Sequence, residues 1–517
     1  MLLANENLFS PSGLKFFRRE DLTPEIRFEI AYKAYNAQKE NLWGHVTNEA
    51  QKWNVSRNFI YKALSDLKEI LPFSLKEKPA KTSLKESMRL MLSLRFEARA
   101  SISGVSAVMK RQQYTYSATG SISQFLKAVG GQLNNTVQNP DKEVKIMVFL
   151  NDEIFAKTIP ILISVDPKSS VILRIEQVDS LTKDKWVAHY KDIGEHGFGA
   201  RLFVSDAGSA LCAANSELDV LWQLDTYHGI AHRFGLWDNS LKIRAYNSIK
   251  TADEHYSTLA SAVDPEVVEK RLNRYTATVE KGEKLIELYD NFHYLYRVML
   301  YALRIFESDG TLHQQKEAEE TITAALKLMK ELGHKKITAD VDYLEKRIEE
   351  LLLYFVDTQT AVKNCEAFSD NEDALKSLFL AWQWNKAVVK AKETERRNKA
   401  KVERDFYLEL AQVFIGNQEG YELLKERVFE ELDGIVQASS LVECINSILR
   451  MYLNGSKNQI NQNFLNLFMF YHNHRRYLAG KRKGKTPMEI LTGKKQEEDW
   501  IDLLLQKEEL QEVLRAA

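Results

Sequence analysis

Hydrophobic residues recur along this chain in three rhythms, and the changes between them divide it. Up to about residue 141 the spacing is three or four, the period of a helix with one buried face. "LTPEIRFEIAYKAYNA" opens with Thr23 and Pro24, suited to a cap and a first-turn proline. Two short amphipathic segments follow, Thr47 to Trp53 and Ser56 to Ile70, separated by "NV" with Ser56 placed to cap the second. Three helices, the last two tightly joined, make a helix-turn-helix pattern. In that geometry Arg57, Asn58, Tyr61 and Lys62 lie near the start of the second helix of the pair, within reach of a DNA groove or its phosphates. Past a Lys/Pro-rich linker near residues 73–83, "LKESMRLMLSLRFEARASISGVSAVMKR" predicts a longer helix, a Ser101 cap and a shorter helix. Another helix opens at Gly120–Ser121 and closes at Gly130–Gly131, so a second helical DNA-reading unit is expected here.

From Lys142 the period shortens to two. "EVKIMVFLNDEIF" and "TIPILISVDPKSSVILRIEQV" predict three strands, the latter two joined as a hairpin through the D-P-K-S turn. A helix in "TKDKWVAHYKDIGEHG", a strand in "ARLFVSDAGSALCAANSEL" and a short strand in "VLWQLDTYH" complete a mixed α/β layer. Residues 235–430 return to helical spacing, with small breaks at Gly310 and Gly333, and their apolar residues, Trp382 and Trp384 among them, read as core. The chain therefore divides into residues 1–75, 76–141, 142–234, 235–430 and 431–517, a multidomain α+β organisation with a large all-helical block inside it.

At 517 residues the chain exceeds what one hydrophobic core serves, which agrees with several units. A net charge of −1 argues against indiscriminate coating of nucleic acid, yet "KEKPAKTSLKESMR" and "HNHRRYLAGKRKGK" concentrate basic residues locally. Cys212, Cys365 and Cys444 are widely separated, which suits a reducing compartment and supplies no thiolate zinc cluster. No apolar run reaches bilayer length, and "MLLANENLFSPSG" has neither a basic start nor a sustained apolar core, so no membrane partner is expected.

Three acids stand in suggestive places. Asp152 ends the apolar strand "KIMVFLN", Asp206 ends "RLFVS", and Glu443 lies on the amphipathic helix "SSLVECINSILRMYLNG". Strand ends on a shared sheet edge converge, and a helix packed across that edge brings the third. Clustered carboxylates repel one another and are best tolerated when hard divalent cations neutralise them. Asp166 competes with Asp152, but its D-P sequence suits a hairpin turn. Asp225, His228 and His232 are the only rival metal set, with no Cys partner and no H-E-x-x-H arrangement to support zinc; phosphate contact or structural hydrogen bonding suits them better.

"FLNDEIF", "LFVSDAGSAL", "WQLDTYHGIAHRF", and above all "SSLVECINSILRMYL" with the later "YHNHRR" and "GKTPMEILTG", resemble bacterial insertion-sequence transposases of the DDE type. Those enzymes have a ribonuclease-H-like core related to that of retroviral integrases. The similarity spans residues 142–234 and 436–493, and the N-terminal helix-turn-helix units fit the family's DNA-binding region. It implies a catalytic and metal-binding triad of Asp152, Asp206 and Glu443 holding two Mg²⁺ or Mn²⁺ ions. The implied reaction is cleavage of transposon ends and joining of 3′-hydroxyls to target DNA. Double-stranded DNA would be the partner, a homodimer or larger assembly would hold two ends, and the setting would be the bacterial cytoplasm, at the nucleoid. Asn446 and Arg450 would lie alongside Glu443 and contact DNA, while His474, Arg475, Arg476, Lys481, Arg482 and Lys483 would form a phosphate-binding patch. One departure is plain: integrase-like proteins commonly place the Glu much nearer the second Asp, so the helical block reads as an insertion in the catalytic domain. Two alternatives stay open, a non-catalytic DNA-binding regulator of the same descent and a structure-selective nuclease of the same fold.

Overall fold

The computed structural model describes Arg19, residues 21–70 and residues 83–506, so most of the Lys/Pro-rich linker lies outside the described residues. The chain divides into two units, residues 1–83 with 113–115, and residues 84–112 with 116–517. In the first, α1 (Pro24–Lys39), α2 (His45–Lys52) and α3 (Arg57–Ile70) close over Leu22, Ile30, Ala34, Val46, Ala50, Ile60 and Leu64. Thr23 Oγ1 caps α1 through the Ile26 amide at 3.5 Å, and Ser56 Oγ accepts the Phe59 amide at 3.1 Å at the start of α3. Asn54 takes a positive φ of 48° to turn the chain between α2 and α3, a conformation asparagine tolerates better than most residues. Arg57, Asn58, Tyr61 and Lys62 are all exposed on the first turns of α3.

The second unit opens with α4 (Leu84–Leu92), a π-helical turn over Ser93–Glu97, α5 (Ile102–Arg111) and α6 (Thr119–Gly131). Five strands then build one sheet in the order β3-β2-β1-β4-β5: β1 (Lys145–Ala156), β2 (Ile159–Val165), β3 (Ile172–Gln177), β4 (Phe198–Ser205) and β5 (Leu221–Leu224). β1, β2 and β3 run antiparallel, β4 and β5 parallel to β1. Helices α7 (Lys183–Glu195) and α8 (Ser209–Leu218) connect the parallel strands. The whole is mixed α+β and mostly helical.

Two local expectations are corrected. Within "ARLFVSDAGSALCAANSEL" the strand stops at Ser205 just before Asp206, and the rest, not expected as a helix, forms α8, because Ala210, Ala213 and Ala214 are strong helix formers and Gly208 opens it. Asp152 does not end its strand; β1 runs on to Ala156 because β2 keeps pairing with it, Asp152 opposite Ile163. Only the parallel partner lets go, at Leu150 opposite Val204.

The helical block comprises α9 (Arg233–Ala260), α10 (Pro265–Ala302), α11 (Gln315–Glu331), α12 (Lys335–Glu345), α13 (Ile348–Leu351), α14 (Tyr354–Glu366), α15 (Glu372–Lys390), α16 (Thr394–Ile415) and α17 (Gln418–Asp433). Gly310 and Gly333 adopt positive φ at two of its breaks; the α9–α10 break instead uses Asp264 as a cap before Pro265. Its core, with Phe292, Met299, Leu326, Leu351, Trp382 and Val428, is continuous with Leu224 of β5 and Ile230 beyond it. The block is thus anchored on the sheet rather than tethered beside it.

The chain closes with α18 (Ser440–Gly455), α19 (Gln462–His474), α20 (Pro487–Thr492) and α21 (Trp500–Leu505). The helices at 84–131, expected to form a unit of their own, pack here instead. Phe96 lies 5.9 Å from the Tyr452 ring, 5.6 Å from Phe464, 5.4 Å from Tyr471 and 6.0 Å from Trp500. Gly130 touches α19 so closely that an added Cβ would stand 2.0 Å from the Asn463 carbonyl oxygen. The apolar stripe that suggested an independent bundle is buried against partners from the other end of the chain.

Candidate functional site

The register explains why two of the acids meet. Asp152 and Asp206 each lie two residues beyond the last β1–β4 pair, Leu150 and Val204, so both leave the parallel ladder at one edge. Asp206 is held in a turn, its Oδ1 accepting the Gly208 amide at 3.0 Å. The third acid arrives on α18, whose buried face of Val442, Ile445, Leu449, Tyr452 and Leu453 packs against β1 and β2. Ile448, beside that face, is half-buried. Asn446 is fully buried between helix and sheet, and its Nδ2 donates to Asp152 Oδ2 at 2.6 Å.

A fourth carboxylate, missed in the sequence, joins them. Glu153 Oε1 and Asp206 Oδ1 lie 3.9 and 3.3 Å from where a Cβ on Gly208 would stand, which places both acids around one small residue. Burial, reinforced by the charges of Glu443, Glu153 and Asp206, pushes Asp152 up to about 8. Burial and the charge of Asp206 push Glu153 up to about 7. These acids are neighbours in electrostatic terms, yet among the described residues no three His, Cys, Asp or Glu side chains are gathered into a ready ligand cage. Asp152 instead accepts from Asn446, and Glu443 lies beside a histidine.

That histidine is His228, whose Nε2 stands 3.8 Å from Glu443 Oε1 and whose Nδ1 stands 3.4 Å from Asp225 Oδ2. Pairing with Asp225 raises its pKa; burial opposes the rise, and the charges of Asp206 and Glu443 support it. Asp225 is 1% exposed and serves as a peg between distant segments. It accepts the Tyr227 amide at 2.6 Å, the Ser439 amide at 2.7 Å and the Ser439 hydroxyl. Burial pushes its carboxyl up, but the His228 and Ser439 contacts outweigh that and hold it below the usual range. The peg fixes the residue just before α18, and so the position of Glu443. The D-T-Y-H spacing was visible in the sequence; its partner Ser439, beyond the insertion, was not.

Oxygen donors that have no partner mark the site's chemistry. Glu153 Oε2 and Asn446 Oδ1 are buried without a hydrogen bond. Buried acceptors without donors are rare and call for a cation or water. Hard carboxylate and amide oxygens suit Mg²⁺ or Mn²⁺, so the residues fit the implied ions in donor chemistry. Beside the acids opens a cleft of about 650 Å³, bounded by Asp206, His228, His232, Arg233, Trp237 and Tyr343. Arg233 lies over the Tyr343 ring at 3.9 Å and pairs with Asp340 at 2.6 Å, so the insertion supplies one wall.

The remaining candidates scatter. Arg450 is exposed on α18. Arg476 pairs with Glu489 at 2.9 Å, His474 Nδ1 lies 2.9 Å from Gln496 Oε1, and Arg482 donates to the Pro167 and Lys168 carbonyls at 3.0 and 2.9 Å. Arg475 lies over the Tyr471 ring at 5.3 Å. Lys481 pairs with Asp433 at 2.9 Å, and Lys483 is exposed. Several of these cations therefore fasten the C-terminal loop. Asp166 accepts the Lys168 and Ser169 amides at 3.2 and 2.8 Å, a turn role. No helix among the described residues is long and apolar enough to cross a membrane. No family model matches this chain, and neither does any curated protein or solved structure.

Proposed function

We propose that the chain is a divalent-cation-dependent DNA transposase of the DDE type. The observation that supports this is the placing of Asp152 and Asp206 where the β1–β4 ladder ends, with Glu443 within electrostatic reach on a distant helix and buried oxygen acceptors left over. The sheet order, three antiparallel strands followed by two parallel ones, is compatible with the ribonuclease-H-like core that the sequence resemblance implies. Asp152, Asp206 and Glu443 would hold the ions, which when bound would activate a water or 3′-hydroxyl and stabilise the leaving oxygen.

The chain's own residues do the rest. Asn446 orients Asp152, Asp225 fixes the helix that carries Glu443, and His228 bridges the two. The cleft walled by Arg233 and Tyr343 is where the strand next to the scissile phosphate would lie. The helix-turn-helix unit would select the DNA, with exposed Arg57, Asn58, Tyr61 and Lys62 towards it.

The test uses labelled duplexes spanning the ends of the DNA segment that encodes the chain, incubated with Mg²⁺. Wild type should nick or cut at those ends and join the 3′-hydroxyls to a second duplex. Glu443→Gln should lose at least about a hundredfold in rate, as expected for removal of a group acting in the transition state. Unchanged cleavage in Glu443→Gln would refute the assignment. Cleavage without joining would favour the nuclease, and binding without cleavage the regulator.

A further inference from the structure

The helical insertion leaves one seam of its own uncovered. α9 turns Asp238, Leu241, Ala245, Ser248 and His255 towards α10, recurring every three, four or seven residues as two packed helices require. Asp238 meets His293 at 2.6 Å, and His255 meets Thr278 at 2.8 Å. Between them, Ser248 Oγ lies 3.3 Å from where a Cβ on Gly282 would stand. That contact accounts for the more buried side of α9.

A second stripe with the same repeat runs about 100° further round the helix, through Asn239, Lys242, Tyr246, Ile249, Asp253 and Tyr256. All six are exposed, Tyr246 at 68% and Tyr256 at 58%, although the Tyr256 ring also lies 5.6 Å from Tyr275 of α10. Tyrosine and isoleucine at heptad spacing suit a partner helix better than water. Lys242 and Asp253 stand about 16 Å apart along the axis, too far to pair with each other in one chain. Neither side chain has a partner among the described residues.

The stripe is its own complement when reversed. A second α9 laid antiparallel across it, with the two-fold axis level with the Asn247–Ser248 peptide, sets Tyr246 against Ile249, Lys242 against Asp253 and Asn239 against Tyr256. Each pair occurs twice. Parallel alignment would instead set Lys242 against Lys242 and Asp253 against Asp253, which repel. We propose that this stripe of α9 is the surface on which two copies of the chain associate, antiparallel about that axis. Self-complementary charge picks out a second copy as the occupant. None of the clustered acids takes part, so the proposal stands apart from the phosphoryl-transfer reading. A contact one helix wide falls at the small end of specific interfaces, so the dimer should be weak, with a dissociation constant of about 10 µM.

The test is sedimentation velocity of the full chain without DNA, from about 1 to about 100 µM, a range that brackets that constant. Wild type should pass from monomer to dimer across it. Ile249→Glu, at an exposed position, should weaken association at least about tenfold and leave the thermal melt of the dilute monomer unchanged. Lys242→Asp and Asp253→Lys should each weaken it about tenfold, because each homodimer then opposes two like-charged pairs. Mixed in equal amounts, those two variants should associate about as tightly as wild type, since every charged pair across the axis is again one aspartate and one lysine. A wild type that stays monomeric across the range overturns the proposal. So does a dimer that any of the three substitutions leaves intact, which would put the contact elsewhere. A mixture of the two charge variants that stays dissociated overturns the antiparallel pairing and the proposal with it.

Discussion

Asp152→Asn should make the cation-free protein more stable at pH 8, and the gain should shrink as pH falls towards 4. The carboxyl is ionised above about 4 in the unfolded chain but holds its proton up to about 8 when folded. Across that window the folded state binds more protons, so stability falls as pH rises. Raising one carboxyl from 3.8 to about 8 sets an upper bound of about 5–6 kcal/mol, at about 1.4 kcal/mol per pH unit. Asp152 shares its repulsion with Glu443, Glu153 and Asp206 and is not wholly buried, so about 2 kcal/mol is expected. Asparagine keeps an acceptor for Asn446 Nδ2 and carries no charge at any pH. Thermal melts of both proteins in EDTA, from pH 4 to 8, read the difference; groups that do not touch Asp152 electrostatically shift both curves alike. The variant should melt about 2 °C above wild type at pH 8, and the gap should close to well under about a degree by pH 4. Millimolar Mg²⁺ should then raise wild type at pH 8 and do little for the variant. A variant less stable than wild type at pH 8 would refute the claim that Asp152 sits among like charges.

Two further substitutions probe the scaffold. Asp225→Asn replaces an acceptor that takes donors from Tyr227 and Ser439 with a group that is itself half donor. Urea unfolding should show a loss of about 2–4 kcal/mol near neutral pH. Because the folded Asp225 carboxyl lies below its ordinary value, its contribution is present above pH 4 and fades as pH falls through the depressed value, so the variant and wild type should converge in acid. Gly130→Ala forces a methyl group onto the Asn463 carbonyl and should cost at least about 2 kcal/mol, whereas Gly120→Ala, with open space around it, should cost little.

The sheet was legible because period-two runs rich in Ile and Val admit few other readings, and the hairpin at Asp166 follows from its turn residues. Asp152 and Asp206 could be singled out for the same reason, since both follow apolar strand segments. Glu443 was different: its place on an amphipathic helix barely sets it apart from a solvated residue, and it was the resemblance that gave it a role. Glu153 was hidden by the alternation rule, which sends neighbours to opposite faces and says nothing about a strand that outlasts its parallel partner. The role of Asp225 was hidden by distance in sequence, because its partner Ser439 lies beyond the whole insertion. Residues 84–131 carry a helical stripe that fits a separate bundle equally well; what settles its place is Tyr452, Phe464 and Trp500, which local periodicity cannot see. The basic run near Arg476 shows the converse case, where charge was legible but its use in pairing with Glu489 was not.

The central claim is that Asp152, Asp206 and Glu443 together hold divalent cations against DNA. Anomalous scattering from crystals of the full chain with Mn²⁺ and an end-sequence duplex tests it most directly. The account expects manganese peaks among these three carboxylates, lost or weakened in crystals of Glu443→Gln. Ordered DNA in the cleft with saturating Mn²⁺ and no peak at the carboxylates would contradict it.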